Sequence, residues 1–266
     1  MSKFPVALQV YSVRDAAEKD FAETMRSVKA MGYDGVELAG TYDMTIPQAK
    51  QILDQAGLEL VSAHVAMDLL ENDEILDAYQ ATGVRYVAIP WQEGPKTQQE
   101  LDAVISRIQK IGQRCAERGL QLLYHNHDFE FIKIGGAYVL DTLYSSIAPE
   151  LLATELDVCW VRVGGEAPED YLAKYAHRAP VVHIKDYTGE KSENMYALIG
   201  KEETQAKPST FAFRPVGYGK QDIPTILEAA ENAGSSWLIV EQDEPGMGKT
   251  AMECAKMSID YLHTLF

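Results

Sequence analysis

The chain has 266 residues, is 46% apolar and carries a formal net charge of −16, a length that fits one large α/β barrel or two ordinary domains. The charge repels nucleic-acid phosphates and anionic membranes, and no run reaches the roughly 18 uncharged apolar residues of a membrane span. A small neutral or weakly charged molecule is the expected partner, with no nucleic acid and no membrane.

Strand-like runs alternate with helical patterns eight times. Residues 5–12 precede a helix at 20–31, residues 32–40 one at 46–56, residues 58–65 one at 72–82, and residues 84–90 a long amphipathic stretch at 97–118. Then 120–128 is followed by 136–147, 151–158 by 168–176, 180–186 by 222–233 after a long loop, and 236–243 by 248–265. Gly32, Gly57, Gly83, Gly119 and Gly234 each sit just before a strand, where a left-handed helix cap belongs. Eight βα units predict an α/β fold, a (β/α)8 TIM barrel forming a single domain over 1–266. A doubly wound sheet normally has a glycine-rich phosphate turn after its first strand, and VYSVRDAAEK has no glycine. The connection at about 188–219 falls at the C-terminal end of strand seven, the face where barrels keep active sites, and suits a lid or an oligomer contact. Cys115, Cys159 and Cys254 are widely spaced without a CxxC, and the first residues run straight into a strand pattern. Both features predict a cytoplasmic protein with reduced thiols.

Four strand-like runs end in polar residues two apart: His125/His127, Glu155/Asp157, His183/Lys185 and Glu241/Asp243. Residues two apart on a strand share a face, and barrel closure brings the ends of strands five to eight together. His125, Asp157, His183 and Glu241 make a mixed N/O set suited to one divalent ion: Mn²⁺, Mg²⁺, Co²⁺ or Zn²⁺. Without a thiolate ligand, Zn²⁺ loses some preference and a harder ion gains it. His127, Glu155, Lys185 and Asp243 are left to support these ligands or to meet substrate.

Several motifs occur in a characteristic order: GYDGVEL, AH at strand three, YHNHDFEF, ELDVCW, VVHIKD, VGYGKQDI and VEQD. With them the chain resembles, over nearly its whole length, the sugar-phosphate isomerase/epimerase family of xylose-isomerase-like TIM barrels. The resemblance implies a divalent ion, with Mn²⁺ favoured, held at the ends of strands five to eight, with Asp157, His183 and Glu241 among the ligands. It also implies a homo-oligomer. Many relatives have a metal-binding, proton-moving glutamate on strand five, where this chain has His125; His127 or Glu130 are alternative ligands there.

Such an ion polarises a carbonyl and its neighbouring hydroxyl so that an α-proton leaves to give an enediolate. Where the proton returns decides between isomerisation and epimerisation, and loss of a β-oxygen gives elimination. The expected activity is therefore a sugar isomerase/epimerase acting on a ketose, keto-sugar or polyol. A dehydratase or lyase of a keto-polyol, similar to inosose dehydratase, or of a keto-glycoside is the alternative. Phosphodiester cleavage, as in the apurinic endonucleases that share the barrel, conflicts with the acidity, and a non-catalytic sugar-binding barrel is a third class.

Glu37, Glu241, His125 and Lys185 are the candidate catalytic residues. Glu37 otherwise accepts backbone hydrogen bonds, and Lys185 otherwise pairs with Asp157, Glu155 or Asp186. His64, Trp91, His127 and Arg214 are the candidate substrate contacts; the alternatives are loop anchoring for His64, core packing for Trp91 and solvated surface for Arg214. The GYGK at 217–220 hints at phosphate binding but lacks a P-loop pattern, and a backbone turn is the preferred reading.

Overall fold

The computed structural model describes residues 4–192 and 210–266. Eight parallel strands, β1 (Val6–Gln9), β2 (Gly35–Ala39), β3 (Glu59–His64), β4 (Tyr86–Ile89), β5 (Gln121–His125), β6 (Ala153–Asp157), β7 (Val181–Ile184) and β8 (Trp237–Val240), close into a barrel in the order β1-β8-β7-β6-β5-β4-β3-β2. The predicted TIM barrel is thus the observed fold. The expected helices appear at Phe21–Met31, Ile46–Ala56, Asp73–Ala81, Gln98–Ala116, Val139–Ser146, Pro168–Lys174, Ile223–Asn232 and Ala251–Leu262. All five glycines expected at helix ends have positive φ.

The strand period of two sorts the barrel interior into layers. At its floor Ala7, Val61, Tyr86, Leu123, Ala153, Val181 and Ile239 form one buried apolar cluster. Two residues further along their strands come Gln9, His125, Glu155, His183 and Glu241, all buried and polar, and on β6 the next inward position is Asp157. A register shift at Val36/Glu37 in the β2–β3 pairing sets Glu37 opposite Ser62, the local re-aiming that a bulge produces. Leu8, Val36, Leu38, Val87 and Leu156 face outward into the larger core beneath the helices.

Three departures from the predicted boundaries shape the mouth. The first strand stops at Gln9 because its side chain accepts the Tyr11 N–H, starting a 3-10 turn over Val10–Val13 that carries Tyr11 across the opening. Strand six ends one residue earlier than expected: Asp157 Oδ1 accepts the Trp160 N–H at 2.9 Å and caps an unforeseen helix, Val158–Val163. Residue 136 belongs to a small hairpin, Lys133–Ile134 with Ala137–Tyr138, rather than to a helix.

The long connection begins and ends as a second hairpin, Asp186–Thr188 with Ala212–Arg214, while 193–209 lie outside the described residues. The lid expected of this connection therefore falls mainly on residues not described. Among the described residues no helix is long and apolar enough to cross a membrane.

Candidate metal centre and active site

His125, Asp157, His183 and Glu241 meet at the C-terminal mouth, with one ligand atom of each within 4.8 Å of the others. His183 Nδ1 lies 2.9 Å from Glu241 Oε2, and His125 Nε2 lies 3.9 Å from Asp157 Oδ2 and 4.0 Å from Glu241 Oε2. Ligand atoms sharing one ion at about 2.1 Å stand roughly 3–3.5 Å apart, so this spacing leaves room for an ion. Asp157 Oδ2 is buried without an aligned hydrogen bond, its charge balanced by the Lys185 ammonium 3.2 Å away, and a divalent ion would compete for the same oxygen. The quartet therefore fits a divalent metal.

A second quartet, His64, His125, Glu155 and His183, lies beneath it, tied by one hydrogen bond between His64 Nε2 and Glu155 Oε2, while His125 Nδ1 and Glu155 Oε1 have no aligned partner. Glu155 Oε2 is 2.7 Å from His64 Nε2, 3.4 Å from His183 Nε2 and 3.4 Å from His125 Nδ1. Glu37 Oε2 takes His183 Nε2 at 2.8 Å and Gln9 Nε2 at 2.6 Å, while Glu37 Oε1 accepts from Ser62 Oγ at 2.5 Å. Each histidine of the upper quartet thus turns one nitrogen to the open centre and the other to a buried carboxylate, the arrangement that fixes metal-binding imidazoles.

Burial opposes charge on His183 and His64, but Glu155 and Glu37 outweigh it and raise both pKa values, that of His183 well above the ordinary range. Burial together with Glu155 raises Glu37 to about 7 against the two histidines. His125 and His127 are lowered, first by burial, and a neutral imidazole is the form that binds metal.

Above these layers a cavity of about 240 Å³ opens, lined by Tyr11, Ala39, His64, Pro90, Trp91, His125, His127, Glu241 and Asp243, a small molecule's scale. One wall is apolar and aromatic; the other is imidazole and carboxylate. Trp91 and His127 meet at a steep angle with ring centroids 4.7 Å apart, and His127 stacks on Phe129.

Of the predicted site residues, His64, Trp91, His125, His127 and Glu241 reach this cavity, and Tyr11 and Asp243 join them. Glu37 and Lys185 do not line it: Glu37 lies a layer below, and Lys185 is buried among carboxylates. Arg214 sits on the hairpin and donates to the Phe213 carbonyl. Glu130, an alternative strand-five ligand, instead accepts from Tyr124 Oη and the His127 N–H, both at 2.8 Å.

The GYGK segment is a turn wrapped around a carboxylate. Asp186 accepts the backbone N–H groups of Gly217, Gly219 and Gln221, so the donors a phosphate would need are taken. A Cβ at Gly219 would stand 2.1 Å from Asp186 Oδ1, which is why glycine is required there. Gln9 and Asn126 were not foreseen. Asn126 Oδ1 accepts the Asp157 N–H at 3.0 Å and ties β5 to β6. Gln9 had a signal, a polar residue inside an otherwise apolar strand run, whereas Asn126 stands between two histidines and had none.

A closed parallel barrel with a His/Asp/Glu cluster at its C-terminal mouth defines a TIM-barrel protein whose mouth residues fit a divalent ion. A family model described as the xylose isomerase-like TIM barrel matches residues 25–263, and the chain belongs to that family. An inosose dehydratase of Clostridium botulinum is 24% identical over 276 residues, covering 92% of this chain and 89% of the relative. A sugar phosphate isomerase/epimerase from Parabacteroides distasonis superposes with a TM-score of 0.79 at 22% identity, covering 96% of each chain. A probable 3-DHS dehydratase from Bacillus anthracis superposes with a TM-score of 0.73 at 16% identity, covering 98% of this chain and 99% of that one.

Proposed function

We propose that the protein is a divalent-metal-dependent lyase that removes water from a keto-polyol, with a cyclic keto-polyol of the inosose class as substrate. His125, Asp157, His183 and Glu241 hold the ion, for which we take Mn²⁺ first, with Mg²⁺, Co²⁺ or Zn²⁺ as alternatives, because the absence of a thiolate ligand gives a harder ion the advantage. One observation carries the choice of reaction. Both carboxylates lining the cavity, Glu241 and Asp243, follow the same strand, whereas the strand-five wall presents the imidazoles of His125 and His127. Inverting a stereocentre calls for a base on each face of the substrate; elimination calls for one base and one acid. The dehydratase relatives support the same reading.

The bound ion supplies Lewis acidity toward the substrate carbonyl and its neighbouring hydroxyl. The Asp243 carboxylate takes the proton from the carbon beside the carbonyl. His64, whose Nε2 is engaged by Glu155, gives a proton from Nδ1 to the β-hydroxyl, which departs as water. One C–H and one C–O bond break, and a C=C bond forms in conjugation with the carbonyl. Trp91 and Tyr11 meet the CH face of the ring and exclude water, and His127 hydrogen-bonds a hydroxyl.

Isomerisation or epimerisation is the second reading, favoured by Glu241 lying both in the metal set and on the cavity wall. Mass spectrometry in D₂O separates the two. Mn²⁺-loaded protein given inososes and keto-sugars should yield a product lighter by one water. A product that loses no water and is heavier by the one deuterium gained at a single carbon would establish the isomerase or epimerase instead. The three cysteines of the chain are buried and unpaired, which supports a cytoplasmic, reducing setting.

A further inference from the structure

The Lys185 side chain is 1% exposed, and its Nζ stands 3.0 Å from Glu241 Oε2, 3.2 Å from Asp157 Oδ2 and 2.9 Å from Asp243 Oδ2. The rings of Trp160 and Phe213 flank the ammonium, with centroids 5.3 and 5.7 Å away. It does not line the cavity. Two of its three oxygen partners are the ones through which Asp157 and Glu241 approach His125 at the centre of the metal quartet. Those oxygens cannot serve an ammonium and a divalent ion at full strength together, because the two cations repel each other at such range. Without any cation, the two carboxylates would repel one another and the site would open.

We propose that Lys185 is a resident counter-cation that competes with the metal: it holds the Asp157 and Glu241 carboxylates in place before an ion arrives, then yields them while keeping Asp243. This inference rests on the metal assignment above. It makes the site preformed, because its ligands are gathered in advance. It also makes the ion exchangeable rather than locked in. Metal occupancy is thereby coupled to Asp243, since loading leaves that carboxylate as the main partner of the ammonium. Lys185 is a positioning residue in this role, reaching substrate only through Asp243 and the ion.

The test is Mn²⁺ titration of the metal-stripped full chain by calorimetry, in the wild type, Lys185→Met, Lys185→Arg and, as a charge-loss control, Lys191→Met, at an exposed lysine that pairs with Asp128 rather than with the quartet. Lys185→Met should bind Mn²⁺ at least tenfold more tightly. Lys185→Arg should stay within about threefold of the wild type, and Lys191→Met within about twofold. Should Lys185→Met fold only with metal present, it is purified in Mn²⁺ and challenged with a chelator, and its Mn²⁺ should leave at least tenfold more slowly than from the wild type. Where the stripped variant does fold, Mn²⁺ should raise its melting temperature by more than it raises that of the wild type. Equal or weaker binding, or equal or faster release, in Lys185→Met overturns the counter-cation. A wild type that binds no Mn²⁺ overturns the metal assignment and this inference together.

Discussion

His183 Nε2 lies 2.8 Å from Glu37 Oε2, a carboxylate 0% exposed that never reaches the cavity. The contact fixes the imidazole so that Nδ1 faces Glu241 and the open centre. Partners of this kind are typically worth about 10–100-fold in metal affinity. Glu37→Ala should therefore weaken Mn²⁺ binding by about that factor and Glu37→Gln by less, with turnover at saturating Mn²⁺ largely recovered. Calorimetry beside saturation kinetics checks this. Unchanged affinity with collapsed turnover would instead make Glu37 a proton carrier.

Asp157 has two separable oxygens: Oδ1 caps a helix, and Oδ2 lies 3.9 Å from His125 Nε2, where the proposed ion would sit. Asparagine keeps the capping oxygen but not the charge. Asp157→Asn should fold with near-wild-type circular dichroism while Mn²⁺ affinity falls at least a hundredfold. A variant that binds Mn²⁺ normally would remove Asp157 from the ligand set.

Trp91 lines the cavity edge-on to His127, so truncation removes a binding face without touching a metal ligand. Trp91→Ala should raise KM about tenfold, equivalent to about 1.4 kcal/mol, and change kcat less than threefold. Steady-state kinetics read the split, and a fall in kcat alone would count against a binding role.

Glu130 gives the pH dependence. Burial pushes its carboxyl from the usual 4.5 up to about 8, against the Tyr124 and His127 hydrogen bonds. An acid with a higher pKa folded than unfolded binds extra protons in the fold, so its contribution to stability falls as pH rises between those values and is gone above the upper one. Glu130→Gln mimics the protonated form. Its melting temperature should match the wild type near pH 4 and exceed it by a margin that grows until about pH 8, and a gap constant with pH would contradict this.

The barrel was legible because its two signals are local: glycine at helix ends and polar pairs at strand ends. The pairs Glu155/Asp157, His183/Lys185 and Glu241/Asp243 were readable from the strand period alone. Their division of labour was not. Glu155 points to the lower layer and Asp157 to the upper because each strand is staggered against its neighbours, pairing Asp157 with His183 and Glu155 with Val181. No single run of sequence carries that stagger. The same holds for Asp186, whose partners at 217–221 are remote in the chain, and for Gln9, which matters only through Glu37 on the next strand.

The central claim is the place of the ion, and anomalous diffraction from a Mn²⁺-soaked crystal tests it most directly. One peak is predicted, enclosed by His125, Asp157, His183 and Glu241. A peak among His64, Glu37 and Glu155 in the layer below, or none at saturating Mn²⁺, would contradict it.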